Sequence, residues 1–177
     1  AGVYSSMVGT STYAKEMTFG FIGVLGQEWD YYSSAQYDAV ATYDYEAAYP
    51  TNYINAIWKN NYTGISNVNN LLAHIDGGAS LFSEDNYEVI KGEALALRAM
   101  LHFDLLRCFG VSFAVNPDMP SIPYSTALDY HVFPQLTVAE AATQVLADLL
   151  QAEALLREAD PIVTGRVITE LDDNGYL

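Results

Sequence analysis

The residues between Glu84 and Phe109 carry the pattern that most restricts the fold of this chain. Apolar side chains recur there at intervals of three and four, the repeat that places residues on one side of an α-helix. These residues are Ile90, Ala94, Leu97, Leu101, Leu105 and Cys108. Ser83 or Asp85 can cap the start, Asp85 and Glu88 have the spacing of a capping box, and Gly110 follows the end. The sequence therefore predicts a helix over 84–109, with Cys108 on its buried side.

Three other segments also have helical patterns. Pro50–Ile75 has apolar residues at helical spacing, starts near a proline and ends before Gly77. Val138–Glu158 follows Thr137, which forms a second capping box with Glu140. Val3–Leu25 is interrupted by glycines, and we expect it to form two pieces. Four helical segments and few strand patterns predict an all-α fold.

The segment between the last two long helices is rich in proline. Four prolines within residues 111–135 exclude a long helix there, and they disfavour a sheet formed by this segment alone. We therefore expect long irregular loops with little or no sheet. A loop of this length is usually functional or packed on another element. The tail from Ile162 to Leu177 has no assigned structure.

The charge balance excludes several partners. The chain has 22 acidic residues against seven basic ones, a net charge of −15, and no lysine or arginine between Lys15 and Lys59. Binding of a phosphate backbone depends on basic side chains, so we expect no nucleic-acid partner. The single cysteine excludes an internal disulfide and a cysteine-based zinc site. No apolar run reaches the length that spans a bilayer, and if the protein is secreted we expect its leader to have been removed before Ala1.

Several short motifs occur in a fixed order along the chain. The first motif is Trp58-x3-Tyr62-x2-Ile65-x3-Asn69-x-Leu71-Leu72. The next two are Gly92-Glu93-Ala94-x3-Arg98-Ala99-x3-Phe103 and Arg107-x-Phe109-Gly110. The last two are Ile122-Pro123-Tyr124 and Asp148-Leu149-x2-Ala152-x2-Leu155-Leu156. Each motif alone is weak, but their combination in this order is more specific. Over residues 1–160 the sequence resembles the SusD/RagB family, the outer-membrane nutrient-binding lipoproteins of Bacteroidetes.

The resemblance implies a fold, a partner and a location. It implies TPR-like helical hairpins, with Pro50–Ile75 paired to Glu84–Phe109. Members of the family are several hundred residues long, so we expect residues 1–177 to form an N-terminal SusD-like helical domain without the family's C-terminal part. The implied function is capture of an oligosaccharide or polysaccharide at the cell surface of the outer membrane and delivery to a SusC-like TonB-dependent transporter. The membrane would be contacted only through an N-terminal lipid anchor that is missing from this sequence.

The polar motif residues have a structural interpretation. Buried charges persist in proteins when they are paired, so we expect Glu93 and Arg98 to meet partners between helices. Asn69 is expected to be an amide at a helix crossing that fixes the register of the two helices. His102 lies beside Phe103 within a helix and is predicted to be a core or interfacial histidine.

No motif indicates catalysis. Acid pairs such as Asp172-Asp173 and Glu84-Asp85 are adjacent in sequence, as solvated surface carboxylates commonly are. The three histidines lack metalloprotease spacing, and no phosphate-binding loop is present. The segment from Leu171 to Gly175 lacks the alternating ligands and the closing glutamate of a calcium loop. We therefore expect no enzyme activity, no metal and no cofactor.

The stretch DYYSSAQYDAVATYDYEAAY, residues 30–49, holds six tyrosines and four acidic residues. Its pattern does not continue the flanking helices, which predicts a surface segment. Aromatic faces pack against the C–H face of a sugar, and carboxylates accept hydrogen bonds from its hydroxyls. The resemblance also places part of the family's glycan-facing surface at this position. The candidate ligand-binding residues are Trp29, Tyr31, Tyr32, Tyr43 and Tyr45.

Two alternatives remain open at this stage. Individual aromatic residues, among them Trp29, Tyr31 and Tyr49, could instead close the end of the helix bundle, because aromatic side chains bury readily. The whole chain could instead be a TPR-like helical protein-interaction scaffold that binds no sugar. The sequence does not distinguish starch from other glycans or from peptide.

Overall fold

A computed structural model describes residues 2–28, 30, 32–82, 85–129 and 131–166. The chain divides into two compact units, Ala1–Asn67 and Val68–Leu177. Seven α-helices and two β-strands occur in the described residues. In chain order they are α1 (Gly2–Met7), α2 (Phe21–Leu25), α3 (Asp38–Ala41), α4 (Ala48–Ile75), α5 (Asn86–Phe109), β1 (Pro120–Pro123), β2 (Gln135–Thr137), α6 (Val138–Ala159) and α7 (Pro161–Thr164). The all-α prediction is confirmed.

The first unit contains α1, α2, α3 and the larger part of α4. The predicted N-terminal helix forms two short pieces, α1 and α2, with consecutive turns over residues 8–20 between them. Apolar side chains from α2, α3 and α4 are buried, among them Phe21, Val40 and Ile57. These residues give the unit its core.

The second unit contains the end of α4, a 3-10 helix over Asp76–Leu81, and all later elements. The capping box of α6 is confirmed: the Thr137 hydroxyl accepts from the Glu140 N–H, and the Glu140 carboxylate accepts from the Thr137 N–H. The capping box predicted for α5 is wrong, because Asp85 at its N-cap makes no side-chain capping bond. The predicted alternative cap, Ser83, lies outside the described residues.

The proline-rich segment contains a small sheet, which the sequence did not favour. β1 and β2 pair antiparallel with a register shift between Pro120 and Pro123. Side chains add to the pairing: the Ser121 hydroxyl donates to the Leu136 carbonyl at 3.0 Å, and the Gln135 amide donates to the Ser121 carbonyl at 2.8 Å. Both strands of a two-stranded sheet are edges, where a residue without an N–H is tolerated.

Burial along α5 follows the predicted stripe except at its end. Ala94, Leu97, Leu101 and Leu105 are buried. Cys108 is exposed, so the prediction that it lies inside is wrong. The periodic pattern indicates which side of a helix faces a core, but it does not indicate how far along the helix that core extends.

Helices α5 and α6 approach closely at Gly92. A Cβ atom at this position would lie 2.7 Å from Leu156 Cγ and 3.3 Å from Leu155 Cβ, closer than packed carbon atoms allow. The glycine of the Gly92-Glu93-Ala94 motif is therefore a packing requirement of the α5–α6 contact. Helices α4 and α5, which were predicted to pair, are joined by a hydrogen bond: the Arg98 guanidinium of α5 donates to Asn69 Oδ1 of α4 at 3.1 Å.

A buried ion pair joins α5 to α6. Arg98 Nε donates to Asp148 Oδ2 and Arg98 Nη2 donates to Asp148 Oδ1, both at 2.7 Å. Tyr124 also donates its hydroxyl to Asp148 Oδ2, at 2.6 Å. Burial alone would lower the pKa of Arg98, but its bonds to Asp148 outweigh this effect and raise the pKa. The expectation of a paired arginine between helices is confirmed.

His102 closes the network into a ring of hydrogen bonds. Its Nε2 accepts from the Ser125 N–H at 3.0 Å, so its proton lies on Nδ1, which donates to the Arg98 carbonyl at 2.9 Å. Asn69 donates to the Ser125 carbonyl at 3.0 Å and accepts from Arg98. The imidazole also stacks on Tyr124, with ring centroids 3.8 Å apart. Burial lowers the pKa of His102 to about 4.

Replacing Gly92 by alanine should destabilise the α5–α6 contact. The added methyl group must displace Leu156, and we expect a loss of about 1–3 kcal/mol in the free energy of unfolding. Gly77→Ala is the matched control, since no atom lies within 4 Å of its added Cβ, and it should change stability by no more than about 0.5 kcal/mol. Equal denaturation midpoints for the two variants would contradict the close approach.

Stability should fall in mild acid because of His102. The unfolded histidine takes up a proton below pH 6.5, whereas the folded one stays neutral down to a pKa of about 4. The stabilisation is complete above pH 6.5 and is lost as pH falls, by about 2 kcal/mol between pH 7 and pH 5. In His102→Gln this part of the pH dependence should disappear. Urea denaturation at several pH values measures the slope, and identical slopes in both proteins would refute the assignment.

Candidate functional site

The tyrosine-rich segment, residues 30–49, belongs to the first unit and includes the short helix α3. Of its predicted ligand-binding residues, Tyr32 is 99% exposed, Tyr43 48% and Tyr45 49%. Val40, on α3 itself, is fully buried and attaches the segment to the unit. Trp29 and Tyr31 lie outside the described residues. The prediction that this is a surface segment agrees with the exposure of the three described residues.

A tight turn after α3 presents Tyr43 and Tyr45. Tyr43 has a φ of 57°, a left-handed conformation that is uncommon for a side chain of this size. Its N–H donates to the Val40 carbonyl at 3.0 Å, and the Asp44 N–H donates to the Ala39 carbonyl at 2.9 Å. The surrounding bonds therefore hold a backbone conformation that a tyrosine would otherwise rarely adopt. Such conformations occur often at binding sites.

The segment is also tied at its two ends. At the start of α3, the Asp38 carboxylate accepts from the Ser34 N–H at 3.0 Å and from the Ser33 hydroxyl at 3.1 Å. After the turn, the Thr51 hydroxyl of α4 donates to the Tyr45 carbonyl at 3.0 Å. Short local bonds thus fix the backbone of the turn at Tyr43 and Tyr45, and one fixes the N–H of Ser34, two residues after Tyr32.

The other tyrosines of this region form an aromatic cluster with Phe21. Tyr37 stacks on Tyr53 with ring centroids 5.9 Å apart, Phe21 contacts Tyr53 at 5.6 Å, and Tyr49 contacts it at 6.5 Å. Burial, followed by the charge of Glu16, raises the pKa of Tyr53 to about 12. The sequence reasoning did not identify this cluster. The four-residue spacing of Tyr49 and Tyr53 is a signal of it, because residues so spaced lie on one side of a helix.

A buried carboxylate lies beside the cluster. Glu16 accepts from the Phe21 N–H at 2.8 Å and from the Tyr37 hydroxyl at 3.2 Å, and Lys15 lies 3.0 Å from it. Hydrogen bonds to Tyr37 and to Glu16 raise the pKa of Lys15. The sequence carries no signal for the contact of Glu16 with Tyr37, because the two residues are 21 positions apart.

The exposed tyrosines and acids of this segment suit a neutral polar ligand with apolar faces. Asp44 and Glu46 are exposed next to Tyr43 and Tyr45. In the described part of the chain, no group of three or more acidic, histidine or cysteine side chains could hold a metal ion. Over the same residues, no helix is both long enough and apolar enough to cross a membrane. Fold and site together define an all-α protein with an aromatic surface segment.

Comparison with known proteins identifies the family. Residues 5–164 match the SusD-like_3 family, described as starch-binding and associating with the outer membrane. This match spans most of the sequence, so the chain belongs to the SusD-like family. The comparison with curated proteins gave no match.

Solved structures share the fold. A SusD superfamily protein of Bacteroides thetaiotaomicron superposes with a TM-score of 0.68 at 23% identity, over 89% of this chain and 36% of its own. A protein of Bacteroides vulgatus described as sugar binding gives 0.68 at 24%, over 87% and 35%. A SusD-like carbohydrate binding protein of Bacteroides vulgatus gives 0.63 at 23%, also over 87% and 35%. The chain thus spans about a third of the length of these structures.

Two tyrosines of the region should differ sharply in their effect on stability. Tyr53 contacts three aromatic rings, so Tyr53→Ala should lower the free energy of unfolding by about 1–3 kcal/mol. Tyr32 is almost fully exposed, and Tyr32→Ala should change it by no more than about 0.5 kcal/mol. Chemical denaturation of both variants tests the division into tyrosines packed in the aromatic cluster and exposed tyrosines. A large loss in Tyr32→Ala would contradict it.

Proposed function

We propose that this chain is the N-terminal part of a non-catalytic, cell-surface carbohydrate-binding protein. The ligand is an oligosaccharide or polysaccharide, which packs against Tyr32, Tyr43 and Tyr45 and donates hydroxyl hydrogen bonds to nearby carboxylates. Trp29 and Tyr31 belong to the same proposed surface. The observation that carries the proposal is the exposure of Tyr32, Tyr43 and Tyr45, the last two of which lie on a turn that local hydrogen bonds fix.

The proposal has two further supports. Membership of a family described as starch-binding makes a glycan the first ligand to test. Fixing an aromatic surface before binding reduces the entropy that binding costs, and Tyr43 is held in a conformation that unconstrained tyrosine avoids. A net charge of −15 also favours an uncharged ligand over a polyanion.

The proposal also includes delivery of the bound glycan to a transporter. In the full-length protein, an N-terminal lipid would anchor the molecule to the outer membrane, and a SusC-like TonB-dependent transporter would receive the glycan. An apolar surface on the second unit is available for a protein partner. Leu146, Leu149 and Leu150 lie on one side of α6 and are exposed, and a groove of about 450 Å³ beside α5 is lined by Phe103 and Phe113 among others.

The same surface favours the second candidate function, a helical protein-interaction scaffold without sugar binding. Large exposed apolar patches commonly mark protein contacts. The two candidates differ in the ligand of the tyrosine segment, which would be a protein partner in the scaffold and a glycan in the proposed function.

Glycan binding can be measured with the full-length protein by affinity electrophoresis in gels containing soluble starch or other polysaccharides. The wild type should be retarded in at least one gel. Replacing Tyr43 or Tyr45 by alanine should weaken binding several-fold, because loss of one stacking contact costs on the order of 1 kcal/mol. Thermal midpoints should stay close to that of the wild type.

Phe113→Ala is the matched control, since Phe113 is an exposed aromatic residue outside the tyrosine segment. It should bind as the wild type does. If no polysaccharide retards the wild type, the scaffold function is favoured. If the wild type binds but every tyrosine variant binds equally well, the glycan site lies elsewhere in the protein.

A further inference from the structure

Glu16 is a buried carboxylate whose partners include a nearby backbone N–H and a tyrosine 21 residues away. The residue is only 5% exposed, and its oxygens accept from the Phe21 N–H at the start of α2 and from the hydroxyl of Tyr37. A buried charge is costly unless hydrogen bonds compensate it. Here the backbone bond, the tyrosine and the Lys15 ammonium group provide that compensation.

The local backbone is shaped to admit this carboxylate. At Gly20 an added Cβ would lie 2.6 Å from Glu16 Oε2 and 2.9 Å from the Lys15 carbonyl oxygen. Any other residue at position 20 would therefore displace the carboxylate or the turn that carries it. The arrangement of Gly20, Glu16 and Phe21 is a preformed acceptor site for the Tyr37 hydroxyl.

Tyr37 connects the Glu16 carboxylate to the rest of the tyrosine segment. It is the N-cap residue of α3, and the exposed Tyr43 and Tyr45 follow α3 directly. Its ring stacks on Tyr53, which fixes the plane of the ring, while the bond to Glu16 fixes the position of the hydroxyl along the cluster. The start of α3 is thus held at a defined place, and the turn that carries the exposed tyrosines is held with it.

We propose that Glu16 is a positioning residue of the ligand-binding surface, acting through Tyr37 to hold α3 and the turn at Tyr43. The proposal rests on the proposed function for its ligand, but the order that it assigns to the segment can be measured without one. Glu16 contacts no ligand in this arrangement. Its effect is to keep the exposed tyrosines in one orientation before binding.

The test uses Tyr37→Phe, which keeps the stacked ring and removes the hydroxyl that meets Glu16 and Lys15, and it is read together with variants of Glu16 itself. Tyr87→Phe is the matched control, because Tyr87 also donates its hydroxyl to a carboxylate, that of Asp76 at 2.8 Å, in the second unit. Hydrogen exchange of the amides in residues 38–47 is followed by mass spectrometry. Affinity for soluble starch, or for the polysaccharide that retards the wild type, is measured in parallel.

Tyr37→Phe should exchange about tenfold faster in residues 38–47, because one charge-assisted bond no longer opposes local opening. Exchange in α4 should stay unchanged, and glycan affinity should fall by about two- to fivefold as preorganisation is lost. Glu16→Gln, which keeps an acceptor oxygen, should show smaller effects than Glu16→Ala. Tyr87→Phe should alter neither measurement.

The outcomes separate this proposal from the proposed function. If Tyr43→Ala weakens glycan binding while Tyr37→Phe changes neither exchange nor affinity, Glu16 does not position the segment and the proposal is overturned. Faster exchange throughout α4 together with a lower thermal midpoint would also overturn it, by indicating a general structural role. If exchange rises in residues 38–47 alone but no glycan binds to the wild type, Glu16 orders the segment and the proposed function fails.

Discussion

The bidentate ion pair between Arg98 and Asp148 is the interaction on which the second unit depends most. Both groups are buried, so the pair need not contribute more stability than apolar residues of the same volume would. Its effect lies in specificity, because any shift between α5 and α6 would leave two buried charges without partners. Asn69 and Tyr124 each add a bond to this pair, which ties four segments of the chain to one geometry.

The first unit uses a similar device on a smaller scale. Glu16 is a buried charge, and one of its compensating bonds comes from Tyr37, which is distant in sequence, as Asp148 is from Arg98. In both places the cost of an unpaired buried charge makes alternative arrangements unfavourable. The consequence differs between the units: Arg98 fixes the packing of long helices, whereas Glu16 fixes a short helix beside exposed tyrosines.

Membership of the SusD-like family says more about the fold of this chain than about the ligand that it binds. The sequence spans about a third of the solved structures it resembles, and those structures share 23–24% of its residues where they align. At that identity the helical framework is comparable, but surface side chains can differ. Support for a carbohydrate ligand therefore comes from the tyrosine segment itself, where Tyr43 and Tyr45 are exposed on a constrained turn.

The sequence by itself determined the long helices, their approximate ends and the surface position of the tyrosine segment, because apolar periodicity, capping residues and turn composition are local properties. It did not determine that Cys108 is exposed, that two strands form among prolines, or that Tyr37 lies against Glu16. Those features depend on which segments meet in space, and bonds between residues 21 or 50 positions apart leave no periodic signal in the chain. Tertiary structure decided them, because only packing brings a buried carboxylate to its hydroxyl or extends a core to the end of a helix.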